Sequence, residues 1–600
     1  MAVFTPGIDF IIRHLVNFSL PPILLAATVR YLASTYDHAV PTWLLVSGSI
    51  LSVPLASAAR IIKKSFTDRR DAAAMGARLA PLIEGKSIGN LDILAIMTHA
   101  WDFGYPADGM MDFFEKLGPV ANMRILWSDL IFTTSPEHIK LILATDFQNY
   151  VKGERFHKTM FSVLGSGVFN SDGDMWKFHR SMSRPFFTRD RISDFDLFDR
   201  HADTVIKQIK TRMRTGYPVD FQDLMGRFTL DSASEFLFGH CMHALSAGLP
   251  YPHNAGFIPP EYKSAGSDRA NEFARAFLAA QEIISSRERN GWIWPLMEIK
   301  EDKTKEPMKI VNAYLAPIIK EAIAKKEAAP KREESEKGEK VVEDGETLID
   351  HLVNLSSDPI VLRDETMNIM IGTSGRDTTA AALTFVIYFL SMYPEVNVRL
   401  RQEILEKVGP TRRPDYDDIR EMKYLRAVIN ETLRLFPIVP FNTRENIHAT
   451  TWPSPDPTQK PIYIPAGTKV PYSVFMMHRR KDLWGPDAEE FDPDRFLDER
   501  LKKYLMKNSF IFLPFNAGPR ICLGQQFAYN EMSFMLVRLL QNFSSVALDV
   551  EACPPEMRPP AEWAAGPGRK AIEKLWPKVH LTMHTYGGLW VKMQEADNSV

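Results

Sequence analysis

Cysteine is the scarcest chemistry in this chain. Three in 600 residues, Cys241, Cys522 and Cys553, are too few for a disulfide framework, so the folded part is expected to face a reducing compartment. A surplus of either charge is also missing. The net charge of -2 leaves no global basic field that would point to nucleic acid. Gly165-Ser-Gly167 mimics the start of a phosphate loop, but no third glycine follows at the right spacing and no Gly-Lys-Ser/Thr occurs, which excludes nucleotide binding there. Flavin and nicotinamide fingerprints are absent as well, so any redox chemistry must draw its electrons from another protein. His240-Cys241-Met242-His243 lacks a second ligand pair at a zinc-like spacing and reads as a helix end after Phe238-Gly239.

Apolar residues are plentiful: 45% of the chain is hydrophobic and 24% charged, an ordinary globular composition with ample core. Residues 39–59 are uncharged throughout and long enough to span a bilayer. Arg60, Lys63, Lys64, Arg69 and Arg70 follow at once, and positive charge marks the cytoplasmic side. Residues 15–29 form a shorter uncharged run, to be read as a second tilted span, a re-entrant segment or an interfacial helix. A cleaved signal peptide fits poorly, because the longer run starts too far in. The reading is a membrane anchor over 1–70 and one folded unit over 71–600. Residues 324–347, dense in both charges, are expected to form a disordered insert.

The stretch that carries the chemistry is Phe515-x-x-Gly518-x-Arg520-x-Cys522-x-Gly524, with a helical pattern directly after it. A thiolate, not a thiol, binds iron. At the start of a helix, free N–H groups and the dipole favour that charge on Cys522. Gly518 and Gly524 permit close backbone approach, Arg520 adds positive charge, and Phe515 keeps water away. Here the chain resembles the cytochrome P450 family, whose haem is held by such a cysteine. The resemblance covers roughly residues 80–595.

Three further motifs follow the family's order. Trp176 and Arg180 are four apart, on one helical face, and both donate hydrogen bonds. In the family this pair neutralises the haem propionates. The second motif lies in a long apolar helix over 367–390, which carries Ser374-Gly375-Arg376-Asp377-Thr378. Asp377 and Thr378 offer the acid and hydroxyl that oxygen activation needs, and Ser374 and Gly375 leave room for a ligand. Glu431 and Arg434, with Arg495 from Phe491-Asp-Pro-Asp-Arg-Phe496, form a structural trio that the family uses to lock the core. The path Phe436-Pro-Ile-Val439-Pro440-Phe441-Asn-Thr-Arg444 crosses the substrate side in the family, so Val439, Pro440 and Phe441 are pocket candidates. Arg444 is either a propionate partner or a solvated strand residue. Leu589, beside the turn Tyr586-Gly-Gly588, is expected at a tip that touches substrate.

The resemblance implies a mainly α fold with small β-sheets, the cytochrome P450 fold behind a transmembrane anchor. The cofactor is haem b with Cys522 as the iron's axial ligand. The activity implied is insertion of one oxygen atom from O2 into lipophilic substrates, with electrons from an NADPH-dependent cytochrome P450 reductase. The location implied is the endoplasmic reticulum membrane, with the catalytic domain facing the cytosol. Gly-Arg-Asp-Thr-Thr-Ala, Leu-Arg-Leu-Phe-Pro-x-Val-Pro-x-Asn-x-Arg and Gly-Pro-Arg-Ile-Cys-Leu-Gly-Gln-Gln-Phe-Ala are similar to fungal membrane-bound hydroxylases of alkanes and fatty acids. Aromatic xenobiotics come next as substrates. Two rival activities stand beside this one: a haem-thiolate isomerase or dehydratase of peroxides, and a non-enzymatic haem sensor.

Overall fold

A computed structural model of the chain describes residues 4–187, 195–258, 269–328, 346–372 and 378–597. Two apolar helices lead, α1 (Pro6–Thr35) and α2 (Thr42–Ala74). Thr5 caps the first by accepting the Ile8 N–H, and Pro6 sits in the first turn, where its missing N–H costs nothing. Both helices are long and apolar enough to cross a membrane, and neither buries its apolar window inside the protein. The short run 15–29 is therefore part of a 30-residue helix. His14 and Arg30 do not end it; His14 stacks on Phe10 at 3.9 Å, and the chain turns only at Asp37, where φ is +52°. The ends of this pair return to the folded body. The Thr5 hydroxyl donates to the Ile299 carbonyl at 2.7 Å, and Lys64 near the end of α2 pairs with Asp129. Because α2 runs on to Ala74, the apolar helix pair continues past residue 70 as helix.

The helices that frame the site are α3 (Gly173–Ser183), α4 (Phe195–Arg214), α5 (Phe221–Phe238), α6 (Arg269–Arg289), α7 (Lys305–Ala328), α8 (Pro359–Gly372), α9 (Thr378–Met392), α10 (Lys423–Leu435) and α11 (Gln525–Asn542). In α9 every residue from Thr379 to Leu390 is buried, as its all-round apolar sequence requires. It packs against α5, α10 and α11 and so forms the spine of the core. The long helix read over 367–390 is thus α8 and α9, with residues 373–377 between them outside the described residues. The charged insert begins later than 324. Residues 324–328 are the last turn of α7, where Ala322 is buried and Lys325 pairs with Asp350 at 3.1 Å. Residues 329–345 lie outside the described residues.

Strands are short. A five-stranded sheet runs in the order Val120–Asn122, Ile131–Thr133, β2, β1, Tyr150–Val151, where β1 is Phe441–Asn446 and β2 is Lys469–Ser473. β1 and β2 are antiparallel, with Arg444 opposite Val470. Near the C-terminus β3 (Trp576–Val579) and β4 (Met583–Tyr586) form a hairpin, and β5 (Trp590–Glu595) joins a separate sheet. The mainly α class with small sheets is what the sequence predicts. The proline-rich piece before β3 is a cover built of 3-10 turns. Its Trp563 is buried edge-on to Tyr105 and Trp576, and its Arg569 pairs with buried Glu573 at 2.8 Å.

Candidate active site

Cys522 lies between the short turn Gly518–Arg520 and the start of α11. Its N–H donates to the Phe515 carbonyl at 3.1 Å, which closes the loop. Gly518 needs its glycine: φ is +69°, and an added Cβ would stand 1.9 Å from the Leu143 carbonyl oxygen. Gly524 has an ordinary φ of -83° and serves differently; its N–H points at the Cys522 sulfur, and its carbonyl accepts the Ala528 N–H at 2.9 Å. Burial raises the Cys522 thiol, while the Gly524 N–H and the Arg180 charge pull it down. Phe515 packs on Tyr529 at 5.2 Å between ring centres.

Positive charge gathers around the ring of Trp176. The Arg520 guanidinium stands 4.7 Å from its centre and that of Arg180 5.9 Å. Arg180 also donates to the Ile521 carbonyl at 3.0 Å, which ties α3 to the cysteine loop. Arg520 reaches Asp172 at 2.6 Å. Arg444 is 3% exposed, so the solvated reading of that residue falls; its guanidinium donates to the Thr443 carbonyl at 2.7 Å. Lys152 is a fourth cation of this group, buried like Arg444, that the sequence did not single out. Burial, then Arg444 and Arg520, drive its ammonium well below the usual lysine range. Burial and Arg444 push Arg520 down to about 10. Asp172 is the carboxylate paired directly with this group; burial would raise it, but the His157, Lys152 and Gly153 donors and Arg520 hold it low. Arg520 Nε and the Asn442 amide nitrogen, the latter on the Arg444 face of β1, are buried donors without partners among the described residues.

Glu431, Arg434 and Arg495 are 0%, 0% and 1% exposed. Arg434 makes a two-pronged bond to Glu431 at 2.6 and 2.8 Å and donates to the carbonyls of His478, Ala488 and Glu490. Arg495 adds Glu431 at 3.5 Å and Asp487 at 2.9 Å. His478 links this trio to the cysteine loop. Its Nδ1 bonds the Arg434 carbonyl at 3.0 Å, and its Nε2 accepts the Leu513 N–H at 3.0 Å. Burial and Arg434 push His478 down to about 3, so the ring is neutral and Nε2 is free to accept.

A family model described as Cytochrome P450 matches residues 93–568. The chain belongs to the cytochrome P450 family. It is 38% identical to cytochrome P450 52-M1 of Starmerella bombicola, over 70% of this chain and 76% of that one. It is 35% identical to cytochrome P450 52E2 of Candida apicola, over 84% and 92% of the two chains. It is 35% identical to the cytochrome P450 monooxygenase himC of Aspergillus japonicus, over 75% and 74%. The chain is accordingly a P450 monooxygenase, and its cofactor is haem with a cysteine thiolate on iron.

The residues of this P450 fit that group. Two buried cations, Lys152 and Arg444, and two half-buried ones, Arg180 and Arg520, gathered with unsatisfied donors around Asp172, suit a ligand with two carboxylates. A thiol held protonated by burial suits a metal ion that displaces its proton.

On the substrate side the outcome is mixed. Ser374, Gly375 and Asp377 lie outside the described residues, and Thr378 is the half-buried first residue of α9. Val439 is the half-exposed residue in the otherwise buried run 431–440. Pro440 gives its carbonyl to Ser473 and Phe475, and Phe441 packs on Trp101 and Phe132; both are committed to the fold. Leu589 is not at a tip. It is 1% exposed, its N–H donates to Asp220 and its carbonyl accepts the Phe221 N–H, because Gly587 and Gly588 turn the chain into β5. The tip between β3 and β4 is His580-Leu581-Thr582. Leu581 lines a cavity of about 280 Å³ together with Ala380, Ala381, Leu230, Leu278 and Glu282.

Proposed function

We propose that this P450 hydroxylates long-chain alkanes or fatty acids, with aromatic xenobiotics as further substrates. NADPH-cytochrome P450 reductase supplies its electrons at the endoplasmic reticulum membrane. The observation that carries the reading is Cys522, in a glycine-shaped loop beside a buried group of cations. The substrate class rests on the three segments that are similar to fungal hydroxylases, and on the apolar helices α1 and α2, which put the site where such molecules partition. These helices cross the bilayer as a hairpin, with both ends and the catalytic domain on the basic, cytosolic side.

Bound haem supplies the reductive activation of O2 and the insertion of one of its oxygen atoms into a C–H bond. Cys522 would hold the iron through its thiolate. Trp176, Arg180, Arg444, Arg520, Lys152 and Asn442 would hold the propionates, and Phe515, Gly518 and Gly524 shape the loop around the sulfur. Glu431, Arg434 and Arg495 act only by holding that loop's support in place. On the opposite face Asp377 relays protons and the Thr378 hydroxyl holds one at its Oγ1 for delivery. Ser374, Gly375, Val439 and Leu581 border the substrate.

Thr378→Val separates these roles. It should retain haem and substrate binding, consume NADPH, and yield about tenfold or more less hydroxylated product per NADPH. Loss of iron-bound water, followed spectroscopically across alkanes, fatty acids and polycyclic aromatics, ranks the substrates. Unchanged coupling in the variant would refute the role of Thr378. Product formed from a lipid peroxide without NADPH would favour the isomerase.

A further inference from the structure

We propose that His201, Glu235 and Cys241 form a binding site for a zinc ion on the flank of the domain, where α4 meets the end of α5. The three side chains come from separate places in the chain: the first turns of α4, the last turn of α5 and the loop beyond it. Their ligand atoms all lie within 4.8 Å of one another. In a tetrahedral zinc site with one sulfur the donor atoms stand roughly 3.3–3.5 Å apart, given bonds of about 2.0 Å to nitrogen and oxygen and 2.3 Å to sulfur. His201 Nε2 and Glu235 Oε2 are already 2.8 Å apart, so closure requires that pair to open slightly and the thiol to move inward.

The backbone that presents the cysteine is fixed by bonds of its own. Gly239 ends α5 in the left-handed conformation, with φ at +71°, and reverses the chain so that Cys241 comes back alongside Glu235. Both oxygens of Asp231 then hold the loop through the Ala244 and Leu245 N–H groups, at 2.7 and 2.9 Å. Ser234 accepts the Met242 N–H at 3.0 Å. The position of the thiol therefore needs no metal to establish it, which is the preorganisation that a ligand site requires.

The donor set suits zinc. A thiol with an imidazole and a carboxylate is a mixed soft and borderline set, and three protein ligands leave the fourth position to water. Hard cations such as Mg²⁺ would want oxygen in place of the sulfur. The charges agree. Glu235 is ionised, held low against its burial by His201 and Arg200, and Asp231 adds a carboxylate behind the sulfur. Binding breaks the Cys241 S–H bond, forms Zn–S and releases the proton to solvent. Arg200 opposes the ion but bonds the other Glu235 oxygen at 2.6 Å, where it orients the ligand. The imidazoles of His240 and His243, which make the sequence look like a zinc motif, lie elsewhere: His240 faces Glu321 at 3.9 Å and His243 is exposed, although the His243 N–H donates to the Cys241 sulfur at 3.3 Å.

The test is calorimetric titration of the haem-loaded, full-length protein with zinc chloride, in two buffers of different ionisation enthalpy. The wild type should bind one equivalent at micromolar zinc and release one proton. Cys241→Ser should lose the proton release, and both it and Glu235→Gln should bind about tenfold or more weakly. The reduced, CO-bound spectrum should be unchanged in both, which separates loss of the site from loss of the fold and from failure of the haem assignment. No binding at micromolar zinc, or equal affinity and proton release in Cys241→Ser, overturns the site.

Discussion

Arg434→Ala should yield little or no haem-loaded protein. The side chain is completely buried and makes five hydrogen bonds, two to Glu431 and three to backbone carbonyls. Its removal leaves Glu431 with Arg495 at 3.5 Å and the Asp492 N–H at 3.0 Å, and leaves the carbonyls of His478, Ala488 and Glu490 short of a donor. Breaking a buried pair from one side costs about 3–5 kcal/mol, against a total stability of roughly 5–15 kcal/mol. The damage reaches the site through His478, which takes its position from the Arg434 carbonyl and holds the Leu513 N–H of the cysteine loop. Arg434→Lys should fail almost as badly, because an ammonium cannot reproduce the fork. Haem content per protein and the urea midpoint report both effects. A variant with full haem and an unmoved midpoint would contradict the structural role.

Gly518→Ala has a comparably large expected effect, confined to the loop. A Cβ at this φ costs about 1–3 kcal/mol in backbone strain alone. It would also stand 1.9 Å from the Leu143 oxygen, a backbone atom that cannot swing aside. The loop must therefore move, and Cys522, two residues beyond Arg520, moves with it. The expected outcome is a folded protein, normal by far-ultraviolet circular dichroism, whose reduced CO complex loses most of the red-shifted thiolate band. An intact band would show that the loop tolerates a side chain there.

What the sequence made legible is what repeats within a few residues. The cysteine motif lies in one loop, Trp176 and Arg180 share one turn of α3, and Glu431 and Arg434 one turn of α10. Helical periodicity and turn residues expose such sets directly. Contacts made by folding leave no such mark. Lys152 precedes Arg444 and Arg520 by hundreds of residues and is recognisable as a member only once burial joins them. His478 stands beside Arg479 and Arg480 in the sequence, and nothing local marks that it is completely buried. The placement of Leu589 has a local cause. Gly587-Gly588 is the stronger turn signal, whereas the tip of the hairpin, His580-Leu581-Thr582, contains neither glycine nor proline. The extent of α1 has a related cause: His14 and Arg30 delimit an apolar run, but a helix ends where its caps and backbone turn, at Thr5 and Asp37. The same principle explains Cys241. Its ligand partners are set by tertiary packing and lie outside the His-Cys-Met-His tetrapeptide.

Whether Cys522 carries the iron is read from the absorption spectrum of the reduced, CO-bound protein. Wild type and Cys241→Ser should both give the red-shifted band of a thiolate ligand. Cys522→Ser should lose that band and all NADPH-dependent hydroxylation, even where haem is retained. A thiolate band that survives in Cys522→Ser would contradict the assignment and send the search to Cys241 or Cys553.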